Sequence, residues 1–142
     1  MSKISINYIG EVVKLETNYT LLRIYEEYCK GLSGIEAYSH IHIIYWLHKR
    51  DNPENRKVLM VIPKRHQTNE VIGVFACRSP SRPNPIGLST VELISKNQCE
   101  LKVKGLDALI GTPVLDIKPY SPRSESIPNA ITPEWIEKGP KH

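Results

Sequence analysis

The stretch HIHIIYWL, residues 40–47, predicts a β-strand, because β-branched and aromatic residues dominate it. Side chains alternate between the two faces of a strand, so His40, His42, Ile44, Trp46 and His48 are expected on one face. Two histidines two positions apart permit a metal ion, but no nearby Cys, Asp or Glu completes a set of ligands. We therefore expect hydrogen-bonded histidines on a half-buried strand, and no metal site.

Further stretches with strand character are separated by Gly, Pro, Asn and Ser, at residues 4–13, 21–25, 58–62, 71–77, 88–94, 99–103 and 113–117. Helix is scarce. Glu26–Leu32 allows one or two turns, and Thr132 before Pro133 predicts an N-cap and a short helix over 133–138. This pattern favours a mainly β fold, a small single-domain β-barrel with one or two short helices, because closure removes exposed sheet edges. A mixed α+β layer is the alternative.

Composition excludes several classes of protein. The 142 residues are 40% hydrophobic and 24% charged, as in one globular domain spanning 1–142. No apolar run is long enough to span a bilayer, and the N-terminus lacks a signal peptide, so a cytoplasmic protein is expected. Neither a Gly-x-Gly-x-x-Gly after a strand nor a P-loop occurs, which disfavours those nucleotide sites. The net charge of +4 divides evenly between the sequence halves and permits a nucleic-acid partner without requiring one.

The three cysteines, Cys29, Cys77 and Cys99, are odd in number and widely spaced, with no Cys-x-x-Cys. These features argue against a disulfide framework and against a zinc ribbon. We expect each cysteine to be a small buried apolar residue.

A proline-rich loop is expected at Arg78–Gly87, RSPSRPNPIG, where three prolines within six positions exclude helix and central strand. The loop should be stiff and should present the guanidiniums of Arg78 and Arg82. Held in this way, arginines lose little freedom on binding a phosphate or carboxylate. A solvated connection with ordinary surface arginines is the other reading.

Two strand ends carry polar residues. His48 and Lys49 follow the strand 40–47 at a polar rim, and Asp116 and Lys118 end the strand 113–117. An exposed pair such as Asp116 and Lys118 contributes little to stability. Strand ends with exposed polar atoms can also hydrogen-bond a small ligand.

Three blocks in order resemble the TsaA-like (YaeB/TrmO) family. They are FACRSPSRPNPIGLS at 75–89, GIEAYSH at 34–40, and residues 107–120 with the core GTPVLDIKPY at 111–120. The likeness covers residues 4–128, and long ordered matches avoid the false positives of short motifs. The resemblance implies a small β-barrel that binds S-adenosylmethionine. It also implies a cytoplasmic homodimer that methylates N6 of threonylcarbamoyl-adenosine 37 in the tRNA anticodon loop.

The resemblance assigns residues to roles in this sequence. The implied cofactor contacts are His48, Lys49, Arg78, Leu88, Asp116, Ile117, Lys118 and Pro119. Beyond the resemblance, the candidate contacts to RNA are Arg82 and Asn84, and Arg82, Lys49 and Lys118 are expected to steer a negatively charged RNA loop. A base is needed to take the N6 proton, and the candidates are His48, Asp116 and Tyr120.

This sequence departs from well-studied bacterial members at two places. Residues 14–20 lack the Pro-Arg-Gln cofactor contact of those members. We also expect no C-terminal tRNA-binding domain, since the sequence ends at His142. Two other functions therefore stay open. One is a non-catalytic RNA- or cofactor-binding barrel, and the other is a methyltransferase for a small molecule.

Overall fold

A computed structural model describes residues 2–140 of the chain. Its strands are β1 (Gly10–Leu15), β2 (Thr20–Ile24), β3 (His40–Trp46), β4 (Met60–Val61), β5 (Ile72–Gly73), β6 (Ile86–Asn97), β7 (Glu100–Lys104) and β8 (Pro113–Pro119). Its α-helices are α1 (Pro53–Arg56) and α2 (Pro122–Glu125), and its 3-10 turns are Glu26–Leu32, Ile35–Ala37, His48–Arg50, Lys64–His66, Val74–Ala76 and Glu134–Glu137. No helix in this part of the chain is long and apolar enough to cross a membrane.

Six strands form a closed antiparallel barrel in the order β1-β2-β7-β6-β3-β8. Alternation explains its core, because every second residue of a strand points inward. In β3 the inward residues Ile41, Ile43 and Tyr45 are buried, while His42, Ile44 and Trp46 are half-buried on the outer face. The structure thus confirms the predicted β-barrel and the predicted face of β3 from His40 to Trp46, whereas His48 lies in the 3-10 turn after the strand.

The chain divides into two compact units. The barrel unit comprises residues up to His48 together with Ile86–Tyr120. The second unit comprises Lys49–Pro85 together with the chain from Ser121 onward, and it contains the two-stranded sheet β4-β5 and both α-helices. Its buried side chains include Val74 and Trp135.

Several predicted strands are shorter in the structure. Residues 4–9 are not strand, and Ile4 is 86% exposed. The paired positions of β1 begin at Gly10, just after the backbone bonds of Ile9 to Val114 and Tyr25. The stretches 58–62 and 71–77 pair over two residues each, and Val74–Ala76 turns into a 3-10 helix. The C-terminal turn begins at Glu134 after Pro133, so the predicted Thr132 N-cap is wrong.

The prediction against a disulfide is also wrong, because Cys29 and Cys99 are bonded. The two residues are 70 positions apart in sequence, with Cα atoms 5.3 Å apart. The barrel brings them together: β2 pairs with β7, Cys29 follows β2, and Cys99 precedes β7. Cys77 is a half-buried free thiol.

Tyr45 and Gly87 lie directly opposite each other on β3 and β6. A Cβ added at Gly87 would be 2.5 Å from Cε2 of Tyr45, so the tyrosine ring covers the glycine. The Tyr45 hydroxyl is 3.1 Å from Oγ of buried Ser89 and donates to the carbonyl oxygen of Asp107 at 3.3 Å. This contact requires glycine for its lack of a side chain.

Candidate functional site

The first group of site residues lies in one row across three strands of the barrel. Ile44 of β3 is opposite Leu88 of β6 on one side and opposite Asp116 of β8 on the other. Directly opposed residues share a face, so all three side chains lie on the outer surface. Leu88 and Asp116 are therefore two strand spacings apart, about 10 Å. The structure brings together an exposed apolar residue and a carboxylate that are 28 positions apart in sequence.

A β-bulge at Leu115 orients Asp116. Val114 is opposite Tyr45 and Asp116 is opposite Ile44, so Leu115 is an extra residue in β8. Val114 is fully buried, as expected for an inward position. In a strand without a bulge, residues two positions apart share a face, so Asp116 would then point into the core as Val114 does. The bulge thus places the carboxylate on the outer surface, which is a common use of bulges near binding sites.

The Asp116 carboxylate is held at the open edge of β8. Its Oδ1 accepts a hydrogen bond of 2.9 Å from the backbone N–H of Ile117, and its Oδ2 is 3.4 Å from Nζ of Lys118. β1 pairs with β8 only at Pro113 and Val114. Within residues 2–140, the edge of β8 beyond Val114 and away from β3 carries no further strand. Such an edge offers backbone groups to a ligand.

A second outer row contains the histidine and tyrosine of the candidate site. His42 is opposite Thr90 and Lys118, and its Nδ1 is 2.9 Å from Oγ1 of Thr90. The ring of Tyr120 meets the His42 ring edge-on, with centroids 5.6 Å apart. His40 is bonded likewise, with Nδ1 2.8 Å from Oγ of Ser39. Both histidines are hydrogen-bonded, as predicted.

The three candidate bases are not at one place. The backbone N–H of Tyr120 bonds the carbonyl oxygen of His40, so Tyr120 lies at the start of β3. His48 lies beyond Trp46 at the other end of that strand, roughly 20 Å away or more. Asp116 lies between them, level with Ile44. His48 and Tyr120 therefore cannot both touch one acceptor atom.

The proline-rich loop of the second unit is fixed by hydrogen bonds to its neighbours. Ser81 is only 7% exposed, and its Oγ donates to Oδ1 of Asn55 at 2.8 Å and accepts from Nη1 of Arg50 at 3.2 Å. Nη1 of Arg56 donates to the carbonyl oxygen of Pro83 at 3.2 Å. These bonds support the predicted stiffness of the loop.

The two loop arginines differ. Arg78 is exposed, as are Asn84 and Lys49 of the same unit. Arg82 is half-buried, and its Nη1 donates to the carbonyl oxygens of Ser79 at 3.0 Å and Cys77 at 3.4 Å. The expectation that the loop presents both guanidiniums is therefore wrong for Arg82, because three prolines remove amide donors and leave carbonyls that the arginine satisfies.

Sequence reasoning missed the residues that support the site. Asn52-Pro53 is a recognisable helix start, and Oδ1 of Asn52 accepts from the N–H of Asn55 at 2.8 Å. The Asn-Pro pair therefore predicts the start of α1, and Asn55 of this helix accepts the hydrogen bond from Ser81. The partnership of His42 with Thr90 had no sequence signal, because it depends on strand register.

Comparison with known proteins identifies the family. A family model described as the tRNA-methyltransferase O N-terminal domain matches residues 11–126. A probable S-adenosyl-L-methionine-binding protein of Archaeoglobus fulgidus is 49% identical over 117 residues. A tRNA (adenine(37)-N6)-methyltransferase of Escherichia coli is 46% identical over 104 residues. The crystal structure of TrmO from Pseudomonas aeruginosa superposes with a TM-score of 0.70 and 28% identity.

These relatives differ in length from the chain. The match covers 82% of this chain and 30% of the A. fulgidus protein, and 70% of this chain and 43% of the E. coli enzyme. It covers 92% of this chain and 62% of the P. aeruginosa structure. With the family model matched over residues 11–126 on a barrel of the same fold, the chain belongs to the family of the tRNA-methyltransferase O N-terminal domain.

Proposed function

We propose that the chain is an S-adenosylmethionine-dependent methyltransferase that acts on N6 of threonylcarbamoyl-adenosine 37 in tRNA. The observation that carries the proposal is the outer row of Leu88, Ile44 and Asp116 beside the open edge of β8. Relatives named as S-adenosyl-L-methionine-binding proteins and as a tRNA (adenine(37)-N6)-methyltransferase support it.

The row suits the adenosine part of the cofactor. Leu88 is 44% exposed, and an exposed leucine gives an apolar surface on which a purine can pack. Asp116 is held by Ile117 and Lys118, so its carboxylate loses little freedom on accepting a bond from a hydroxyl or amino group. The open edge from Ile117 to Pro119 adds backbone carbonyl acceptors.

Arg78 suits the anionic part of a ligand. Arg78 is an exposed residue on a loop fixed by Ser81, and arginine binds a carboxylate or phosphate through paired charge-assisted bonds. Arg82 stabilises the loop through its bonds to Ser79 and Cys77. We assign Arg78 to the cofactor carboxylate and propose that Arg82 maintains the conformation of the loop.

The reaction sets the task of the remaining residues. When bound, S-adenosylmethionine supplies an electrophilic methyl on a sulfonium, and its transfer to N6 leaves a thioether and requires loss of the N6 proton. An amide-like nitrogen is a poor nucleophile, so proton removal by a positioned base contributes to the rate. Asp116 is assigned to the adenosine part of the cofactor, so the base is expected at His48 or Tyr120.

The proposal extends to assembly and location. Leu59, Met60 and Val71, in or beside the β4-β5 sheet, are each more than half exposed. Exposed apolar surface of this kind marks contacts between proteins, and we propose a homodimer. A tRNA substrate implies a cytoplasmic enzyme.

The first test is calorimetry with S-adenosylmethionine on the wild type, on Arg78→Ala and on the matched control Arg123→Ala. Arg123 is an exposed arginine of the same unit outside the candidate site. Binding near 1 μM, about −8 kcal/mol, is expected for the wild type and the control, with at least tenfold weaker binding for Arg78→Ala. No heat from folded wild-type protein would overturn the proposal.

The second test follows methyl transfer to tRNA that carries threonylcarbamoyl-adenosine 37. A methylated nucleoside in the wild-type reaction, absent with unmodified tRNA, supports the proposed substrate. Cofactor binding without turnover favours a binding module, and turnover without tRNA favours a small-molecule methyltransferase. Comparing His48→Ala with Tyr120→Phe identifies the base, because only one of the two is expected to lower kcat strongly.

A further inference from the structure

The positive charge of the chain is concentrated in the second unit. Its segment Lys49–Pro85 holds eight Lys and Arg residues against three Asp and Glu residues, whereas the barrel unit holds one more acidic than basic residue. Halving the sequence hides this difference, because the second unit is assembled from two separate stretches. The whole excess of +4 therefore comes from one unit.

The best-supported cations of this segment lie on the 3-10 turn Lys64–His66, which we call the basic turn. Lys64 and Arg65 are exposed, while His66 is only 2% exposed. The turn closes with a hydrogen bond of 2.9 Å from the N–H of Gln67, a residue in the left-handed region, to the carbonyl oxygen of Lys64. Two cations thus point outward from a turn whose third residue is anchored.

Three contacts with the C-terminal segment anchor the basic turn. Nδ1 of His66 donates to the carbonyl oxygen of Lys138 at 2.6 Å, and its ring meets Trp135 with centroids 5.3 Å apart. Gly139 has a φ of 82°, and a Cβ added there would overlap the carbonyl oxygen of Arg65. The close approach fixes the backbone from which Lys64 and Arg65 project.

The cations of the basic turn are not neutralised by acidic partners. Arg56 pairs with Asp51, Arg50 donates to Ser81 of the proline-rich loop, and Arg82 bonds within that loop, so those three cations are structural. Among residues 2–140, Lys64 and Arg65 make no ion pair. Exposed cations on a fixed backbone match phosphates, since little flexibility is lost on binding.

We propose that the basic turn binds the phosphate backbone of RNA, so that Lys64 and Arg65 hold the tRNA and other residues bind the cofactor. This proposal rests on the proposed function, because that function supplies RNA as the polyanion. Glu70, Glu134 and Lys138 line a neighbouring pocket of about 280 Å³. Its two carboxylates outnumber its one ammonium, so the phosphates should follow the turn and avoid the pocket.

The test measures binding of a fluorescent tRNA transcript by anisotropy over a series of KCl concentrations. Lys64→Gln/Arg65→Gln removes both cations, and Lys30→Gln/Lys104→Gln removes two exposed cations of the barrel unit as a matched control. The turn variant is expected to bind about tenfold more weakly. Its slope of log K against log salt should be smaller by about 2, in proportion to two lost phosphate contacts. The control should match the wild type.

Equal affinity of the turn variant and the control would overturn the proposal, and so would preferential binding of the wild type to phosphatidylserine vesicles. Thermal melting and calorimetry with S-adenosylmethionine show that the variant is folded and that the cofactor site is intact. The two proposals fail separately. If the turn variant loses affinity for tRNA but the wild type transfers no methyl group, the RNA contact is supported and the proposed activity is excluded. If Lys64→Gln/Arg65→Gln changes neither the methyl transfer to tRNA nor the affinity for tRNA, the activity is supported and the RNA contact is excluded.

Discussion

Val114 and Asp116 lie two positions apart in β8 but face opposite sides of the barrel wall. Val114 is fully buried opposite Tyr45, whereas the Asp116 side chain is 50% exposed opposite Ile44. The extra residue Leu115 causes the change of face. One bulge therefore separates a core position from a proposed ligand-binding position.

Asp116→Asn should weaken cofactor binding with little effect on stability. The amide keeps the shape but loses the negative charge that accepts from Ile117 and faces Lys118. We expect S-adenosylmethionine to bind at least tenfold more weakly by calorimetry. The free energy of unfolding should change by less than about 1 kcal/mol, because exposed ion pairs contribute little. Asp107→Asn, at an exposed position of the same unit, is the control, and equal affinities of the two variants would exclude the assigned role.

Ser81→Ala should loosen the proline-rich loop. The change removes the hydroxyl that bridges Asn55 and Arg50, and unsatisfied polar groups of this kind cost about 1–3 kcal/mol when buried. Faster hydrogen exchange of the backbone amides of 78–84 is the expected result. The exposed Ser124→Ala serves as the control and should leave exchange in the loop unchanged. Unaltered protection in Ser81→Ala would show that the prolines alone hold the loop.

Reduction of the Cys29–Cys99 bond should destabilise the protein. The bond closes a loop of 70 residues, and loop-closure entropy sets an upper limit of about 4 kcal/mol on its stabilisation. Chemical denaturation with and without a reductant measures the difference. Cys29→Ser/Cys99→Ser should equal the reduced wild type and should not respond to reductant. Cys77→Ser, which leaves the bond intact, should respond as the wild type does.

Gly87→Ala should destabilise the barrel by about 1–3 kcal/mol, because the added methyl overlaps the Tyr45 ring. Tyr45→Phe keeps the ring and loses only the hydroxyl bonds to Ser89 and Asp107, at a cost of about 1 kcal/mol. Thermal melting of both variants and of the double variant checks this. Wild-type stability of Gly87→Ala would contradict the close contact.

The strands were predictable where a sequence pattern has one meaning. The side chains of HIHIIYWL alternate between the buried and the outer face of the barrel, so β3 and its outer histidines follow from residues 40–47 alone. Residues 4–8 are also rich in isoleucine but lie before the paired positions of β1, and pairing is not a local property. The sequence therefore predicts well which segments can form extended chain, and it predicts less well which of those segments pair with one another.

The site was predictable as a set of residues, through the family resemblance, but not as an arrangement. Leu115 becomes an extra residue only against the register of β3, so the outward orientation of Asp116 has no signature in β8 itself. The Cys29–Cys99 bond and the basic turn depend likewise on segments that are distant in sequence. The burial of Arg82 has no signal in the sequence, because its partners are carbonyl groups of its own loop.

The ring of Tyr45 over Gly87 has a consequence for evolution. Positions 45 and 87 form one steric unit, so a related sequence with a side chain at 87 must have a smaller residue at 45. The glycine that ends the RSPSRPNPIG motif is thus kept by a tyrosine inside the barrel, whatever ligand the arginines of the motif bind. A relative that keeps this glycine therefore shares the packing inside the barrel, and the glycine says nothing about whether it shares the ligand.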